Sequence, residues 1–193
     1  MSTGVVDGRS GHVHEALLYG SDEEFLATTV PFLCEGLAAR EPTVVSLGEE
    51  REALVRDGLG SDARHVSFLR DGAQYGRPSG AIEAYRDLFS RHVRAGARQF
   101  RVLGALPPAA TATTWSWWAR YEAAVNLAYD GFPVRTLCSY DTRTVRDEVL
   151  DDVRSTHPYL TTSAGRADNP DFVAAEDFLS RPAGGVDPLE ATP

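Results

Sequence analysis

Residues 16–37 read ALLYGSDEEFLATTVPFLCEGL, and this stretch predicts a buried strand that turns directly into a helix. The apolar run 16–19 is short and ends at Gly20, which is typical of a strand. Ser21 precedes Glu24 by three residues, the spacing of a capping box, and an apolar stripe continues from there to Leu37. A strand–turn–helix unit at this position indicates an α/β fold.

The same pattern repeats along the chain. Further strands are predicted at 43–47, 66–69, 100–106 and 134–140, helices at 49–57, 80–95, 114–129 and 143–154, and a last extended piece that His157 opens. The alternation predicts a three-layer α/β fold, a mostly parallel sheet flanked by helices. We expect residues 1–11 to be disordered, 12–165 to form the domain, and 166–193 to form a tail or linker with a short apolar cluster at 172–179 that could dock.

The charge of the chain is acidic and all of its cationic side chains are arginine. The 193 residues contain 19 Lys+Arg, none of them lysine, and 28 Asp+Glu, giving a net charge of −9. This balance does not favour nucleic-acid binding, which rests on clustered positive charge. No apolar run approaches the roughly 20 residues that span a bilayer, so we expect a cytoplasmic protein with no membrane contact.

The first strand-to-helix turn does not have the chemistry of a phosphate-binding loop. Asp22, Glu23 and Glu24 follow Gly20-Ser21, and their carboxylates would repel a phosphate from the backbone N–H groups there. The sequence also lacks GxxxxGK[ST] and a strand-to-helix GxGxxG. ATP hydrolysis is therefore not expected.

Cys138, His14 and His157 are the side chains best suited to chemistry. Cys138 comes late in a predicted central strand, whereas both histidines are predicted to open strands. At about 3.3 Å per residue, Cys138 would then lie roughly 10 Å or more from the histidines. A metal site built from the three is not expected, nor is any cofactor. Cys34 and Cys138 are far apart in sequence, which fits reduced thiols.

The predicted helix 114–129 is unusually aromatic. Its tryptophans either pack in the core or cover an oligomer interface. Glu122 and Asn126 are four residues apart and share a face with Trp118. The Glu122 carboxylate could therefore be partly desolvated and act as a proton donor or a ligand anchor.

Six segments over roughly residues 12–160 have the order and spacing of a known family of domains. They are HEALLYGSDEEF (14–25), PFLCEGL (31–37), EPTVV (41–45), YEAAVNLAY (121–129), LCSYDT (137–142) and THP (156–158). In sequence and spacing they resemble the MEDS domain, a sensory domain named after methanogen and methylotroph regulators.

The resemblance implies a degenerate RecA- or KaiC-like domain that has lost nucleotide hydrolysis. Such domains are thought to sense small organic molecules, hydrocarbon derivatives among them, and in actinobacteria they commonly precede a histidine-kinase-like ATPase domain of the anti-sigma-factor type. The family's recurrent polar positions, carried onto this chain, imply a ligand-binding set of His14, Glu122, Asn126, Cys138, Asp141 and His157.

The leading hypothesis is a non-catalytic sensory or regulatory domain that binds a small apolar organic molecule. It would relay to a regulatory protein or a kinase-like domain. One alternative is a small enzyme that uses Cys138 or Glu122. Another is an interaction module without a ligand, whose tryptophan helix forms a homodimer or partner surface. An open apolar crevice at residues 139–141 would favour a sensor, and a filled one an interaction protein.

Overall fold

The strands of the computed structural model, which describes residues 11–69, 77–107 and 115–182, form one sheet. They are β1 (Val13–Tyr19), β2 (Thr43–Ser46), β3 (Ser67–Phe68), β4 (Phe100–Gly104), β5 (Val134–Asp141), β6 (Tyr159–Thr162) and β7 (Gly165–Asp168). Their order is β3-β2-β4-β5-β1-β6-β7, and every neighbouring pair is parallel except β6 and β7. The predicted mostly parallel sheet is confirmed.

Helices cover both faces of this sheet. They are α1 (Asp22–Ala38), α2 (Glu49–Leu59), α3 (Pro78–Arg94), α4 (Trp115–Ala128), α5 (Asp147–Thr156) and α6 (Ala175–Ser180), with a 3-10 turn at Gly60–His65. One core, which includes Phe25 and Leu137, lies under α1 and α2. A second core, which includes Phe89 and Trp118, lies under α3 to α6. The three-layer prediction is therefore confirmed. Among the described residues, no helix combines the length and apolarity needed to cross a bilayer.

The first turn of α1 forms the predicted capping box with one change. Ser21 Oγ accepts a hydrogen bond from Glu24 N at 3.2 Å, as expected. The Glu24 carboxylate reaches back to Gly20 N at 2.7 Å, one residue before the N-cap. A carboxylate thus occupies a backbone N–H of the turn at which phosphate-binding α/β proteins hold phosphate.

Helix α5 begins at Asp147, four residues later than the sequence predicts. The delay arises at Asp141, whose backbone carbonyl accepts from Thr144 N at 3.0 Å and whose Oδ1 accepts from Arg143 N at 3.0 Å. These bonds hold a turn between β5 and α5. The helix ends at Thr156, so His157 follows a helix terminus and does not open a strand.

The packed domain extends beyond the expected boundary at residue 165. Strand β7 pairs with β6, and α6 packs on α4 through the buried side chain of Phe178. The guanidinium of Arg120, on α4, holds α6 in place by donating a hydrogen bond to Leu179 O at 2.8 Å. The expectation of disorder at 1–11 falls outside the described residues except for Gly11, and the tail from 183 onward lies outside them as well.

Candidate functional site

Strands β1 and β5 bring His14 and Cys138 together on the face that α4 covers. His14 aligns with Thr136 in the parallel register, so Cys138 lies two residues further along β5 and points to the same face. His14 Nε2 is 3.5 Å from Cys138 Sγ. The expected separation of roughly 10 Å is therefore wrong. The parallel register places Cys138 only one same-face position beyond His14, and the imidazole side chain is long enough to span that distance.

Helix α4 adds Glu122 and Asn126 to this pair. Glu122 Oε2 lies 3.3 Å from His14 Nε2, and Asn126 Oδ1 lies 3.1 Å from His14 Nδ1. Tyr140, on the same face of β5, donates its hydroxyl to Glu122 Oε1 at 2.8 Å. The Glu122 side chain is only 2% exposed, so the expected partial desolvation is in fact complete burial.

His157 completes the cluster from the end of α5. Its ring centroid is 4.0 Å from that of His14, and its Nε2 is 3.6 Å from Glu122 Oε2. Its side chain is 0% exposed. The structure thus brings together five of the six candidate residues, which are His14, Glu122, Asn126, Cys138 and His157.

Asp141, the sixth candidate, lies on the opposite face of the sheet. It lies three residues after Cys138 on β5, so the alternation of side chains along the strand turns it to the face that α1 and α2 cover. Its Oδ2 is 2.6 Å from Arg143 Nη2 and 3.1 Å from Arg51 Nη2, and Asp22 bonds both arginines as well. The hydrogen bond from Arg143 holds the pKa of Asp141 below its usual value. Charged side chains therefore fill the crevice beside Asp141, and a ligand held by the other five residues would not reach it.

The hydrogen-bond partners assign the tautomers of both buried histidines. His157 Nδ1 lies 2.8 Å from the carbonyl of Val153, which can only accept. His14 Nδ1 meets Asn126 Oδ1, because Asn126 Nδ2 donates to three backbone carbonyls at 2.9 to 3.2 Å. Both Nδ1 atoms therefore carry a proton, and both rings turn Nε2 toward Glu122.

Two polar atoms of this cluster lack a hydrogen bond within the described residues, Glu122 Oε2 and His157 Nε2. Burial lowers the pKa of His157 well below its usual value, so this ring is neutral at physiological pH. Burial, with the Glu122 carboxylate as the next cause, raises the pKa of the Cys138 thiol well above its usual value. Cys138 has the neighbouring base that the enzyme hypothesis required, but a protonated thiol is a poor nucleophile.

A small cavity lies beside the cluster, between α3, α4 and the sheet. Its volume is about 30 Å³, room for roughly two water molecules. The rings of Tyr85 and Phe89 line one side, and His14, Glu122 and Cys138 form a polar end. His14, Glu122, Cys138 and His157 also offer four ligand atoms, all within 4.8 Å of one another, that could hold a metal ion.

A larger groove of about 1230 Å³ opens on the α1 face at the amino-terminal edge of the strands. Three of the arginines that line it, Arg101, Arg135 and Arg166, have carboxylate partners. Arg101 Nε lies 2.6 Å from Glu41 Oε2, and Arg135 makes a two-pronged contact with Glu15. These arginines are not available as an anion site.

Sequence reasoning missed Tyr140 and Asn169. Tyr140 could have been found, because it lies two residues after Cys138 and so shares its face of the strand. No local signal marks Asn169, which follows β7 and donates from Nδ2 to His157 O at 2.7 Å and to Arg154 O at 2.6 Å. The core-packing interpretation of the tryptophans is confirmed for Trp115 and Trp118, which are buried.

The profile of the MEDS domain, the methanogen/methylotroph DcmR sensory domain, matches residues 13–158. The chain belongs to the MEDS family. The match begins at β1 and ends just after His157, so it contains the five clustered residues. This membership gives the chain a sensory or regulatory role.

Comparison with curated proteins finds no match. Among solved structures, the chain is similar to the cytoplasmic domain of EssC, at 12% identity and a TM-score of 0.42. The similarity covers 90% of this chain and 34% of that one, so the chain spans about a third of the length of EssC's cytoplasmic domain.

Proposed function

We propose that this MEDS domain binds a small organic molecule in the cavity beside His14 and Glu122 and signals the bound state to a protein partner without catalysis. The aromatic rings on one side and the polar cluster on the other suit a molecule that is mostly apolar with one polar atom. A volume of about 30 Å³ favours a ligand of only a few non-hydrogen atoms.

The observation that carries this proposal is the direct bond between the C-terminal segment and the cluster. Asn169 is buried and donates to the backbone carbonyl of His157, one residue beyond the end of α5. Val173 N also donates to Ser155 O at 2.9 Å. A shift of His157 on ligand binding would therefore move the segment that leads into α6. A ligand signals only if it binds two such arrangements with different affinity.

The proposed partner is a regulatory protein such as an anti-sigma-factor-type kinase, docked on or following the C-terminal segment. The net charge of −9 favours a protein partner over nucleic acid. The interaction module without a ligand is the second candidate, because charged side chains fill the crevice beside Asp141. Leu127 would mark its contact surface, since this side chain on α4 is 49% exposed. A Leu127→Ser variant that abolishes self-association with ligand response intact would favour that candidate.

The test combines a panel of small organic compounds with thermal unfolding and hydrogen exchange. A compound that raises the unfolding midpoint is expected to change the exchange of residues 166–182. Asn169→Ala should keep the compound's binding but lose most of this change, because the bond to His157 is gone. Asp168→Ala is the matched control, since this neighbouring side chain is exposed. Unchanged exchange at 166–182 in every stabilising complex would contradict the relay.

A further inference from the structure

Four side chains from four separate parts of the chain converge on one buried point. Three of the separations are 3.3 Å (His14 Nε2 to Glu122 Oε2), 3.5 Å (His14 Nε2 to Cys138 Sγ) and 3.6 Å (His157 Nε2 to Glu122 Oε2). All four ligand atoms lie within 4.8 Å of one another. Tetrahedral zinc, with bonds of about 2.0–2.3 Å, places its ligand atoms about 3.3–3.8 Å apart. The cluster therefore needs only a small contraction to match a tetrahedron.

Two buried acceptors meet at this point without a donor, while His14 Nε2 contacts Cys138 Sγ at 3.5 Å. Glu122 Oε2 faces the Nε2 lone pairs of His14 and His157, and neither it nor His157 Nε2 has a hydrogen bond among the described residues. Leaving two buried acceptors without a donor costs roughly as much as losing the bonds themselves. A cation at the centre would satisfy all of them at once. No guanidinium of residues 11–69, 77–107 or 115–182 fills this role, since the contacts of Glu122 there are with Tyr140 and the two histidines.

The atoms around the four ligands are arranged as they are around bound metals. Each imidazole donates its Nδ1 proton to an oxygen, His14 to Asn126 and His157 to the carbonyl of Val153. Tyr140 fixes the Glu122 carboxylate through its other oxygen, Oε1. Such outer hydrogen bonds set the tautomer of a metal-binding histidine and hold its ring in place. They leave the two Nε2 atoms and Oε2 free to bind a metal.

We propose that His14, Glu122, Cys138 and His157 bind one divalent metal ion of the zinc class. Two imidazole nitrogens, one thiolate and one carboxylate oxygen suit Zn²⁺ or Co²⁺, whereas Mg²⁺ and Ca²⁺ require oxygen ligands. Binding replaces the Cys138 S–H bond by a metal–sulfur bond and releases that proton to solvent. The ion would form the polar end of the cavity. The site does not depend on the sensing role, and metal binding is measured without a ligand panel or a partner.

The test begins with full-length protein stripped by a chelator and then titrated with Zn²⁺ or Co²⁺. The expected result is one zinc per chain by elemental analysis and, with Co²⁺, a thiolate-to-metal charge-transfer band. Cys138→Ser should lose the band and bind zinc at least tenfold more weakly. Cys34→Ser is the matched control, because this second half-buried cysteine lies on α1, and it should behave as wild type.

A second variant keeps the test decisive if Cys138→Ser does not fold. Tyr140→Phe retains all four ligands and removes the hydroxyl that bonds to Glu122, so zinc affinity should fall by about 10–100-fold. Folded wild-type protein that binds no stoichiometric zinc at micromolar concentration would overturn the proposal. So would an identical Co²⁺ spectrum in the Cys138→Ser and Cys34→Ser variants. Neither outcome would affect the exchange experiment at residues 166–182, so the two proposals fail separately.

Discussion

Replacing Glu122 with glutamine should stabilise the metal-free protein, although it changes a fully buried residue. The Glu122→Gln side chain can keep Oε1 as the acceptor for Tyr140 and place its NH₂ group where Oε2 now faces His14 and His157. The change removes an unsatisfied buried carboxylate oxygen and supplies a donor in its place. Most substitutions of a buried charged residue destabilise the protein, because they leave the partner of that residue buried without a compensating charge.

The size of the effect follows from the two distances. The 3.3 Å separation from His14 Nε2 permits one hydrogen bond, whereas 3.6 Å to His157 Nε2 is too long for a second without movement. A new hydrogen bond to His14 Nε2, whose present partner is the weak Cys138 thiol at 3.5 Å, and the loss of the unsatisfied Oε2 together give roughly 1–2 kcal/mol. In a domain of this size that corresponds to a rise of about 2–8 °C in the unfolding midpoint.

The assay is thermal and urea unfolding of chelator-treated protein, and Glu15→Gln is the control. Glu15 is equally buried, but it accepts from Arg135 at 2.8 and 3.2 Å and from Thr161 at 2.6 Å. The same substitution there should lower the free energy of unfolding by roughly 1–3 kcal/mol, because a paired charge is lost. If Glu122→Gln destabilises the protein as much as Glu15→Gln, the assignment of unpaired acceptors is wrong. With zinc present the sign should reverse, since the variant lacks a ligand.

Two further predictions concern the α1 face. The pKa of Asp141 is lowered by its hydrogen bond to Arg143, so its contribution to stability is full above the ordinary value of 3.8 and is lost as pH falls through the folded pKa. Asp141→Asn should therefore differ from wild type in urea unfolding at neutral pH and converge with it in acid, and a constant difference would contradict the assignment. A Cβ at Gly36 would lie 2.8 Å from Thr43 Oγ1, so Gly36→Ala should cost about 1–3 kcal/mol in urea unfolding. Gly48→Ala, with open space around it, should be much milder, and equal effects would refute the packing argument.

The parts of the fold that depend on short-range order were predictable from the sequence. Strand β1 and helix α1 follow from an apolar run, a glycine and the Ser21–Glu24 spacing, all within a few residues of one another. The start of α5 was not, because the side chain and carbonyl of Asp141 hold a turn through residue 144. A side chain that bonds its own neighbouring backbone competes with a helix without changing the apolar periodicity.

The cluster could not be derived from spacing along the chain, because it depends on strand order. His14 and Cys138 meet only because β1 lies next to β5 with His14 opposite Thr136. His157 joins them from the end of α5 and is missed by any argument that treats it as part of a strand. The face of Asp141 was predictable by alternation from Cys138 once both were placed on one strand. The family resemblance identified the five clustered residues, and the structure shows how they are arranged.

Carboxylates are paired differently on the two faces of the sheet, and this difference favours the α4 face as the proposed binding site. On the α1 face, Asp141 and Glu15 each have an arginine partner, which is the usual condition for keeping a buried charge. On the α4 face, Glu122 has a tyrosine and two histidines whose lone pairs face it. An apolar residue of similar size would pack there at lower cost, which favours the proposed metal ion as the reason for the carboxylate. Because Asn169 bonds to the carbonyl of His157, that ion would bear directly on the segment that closes the domain.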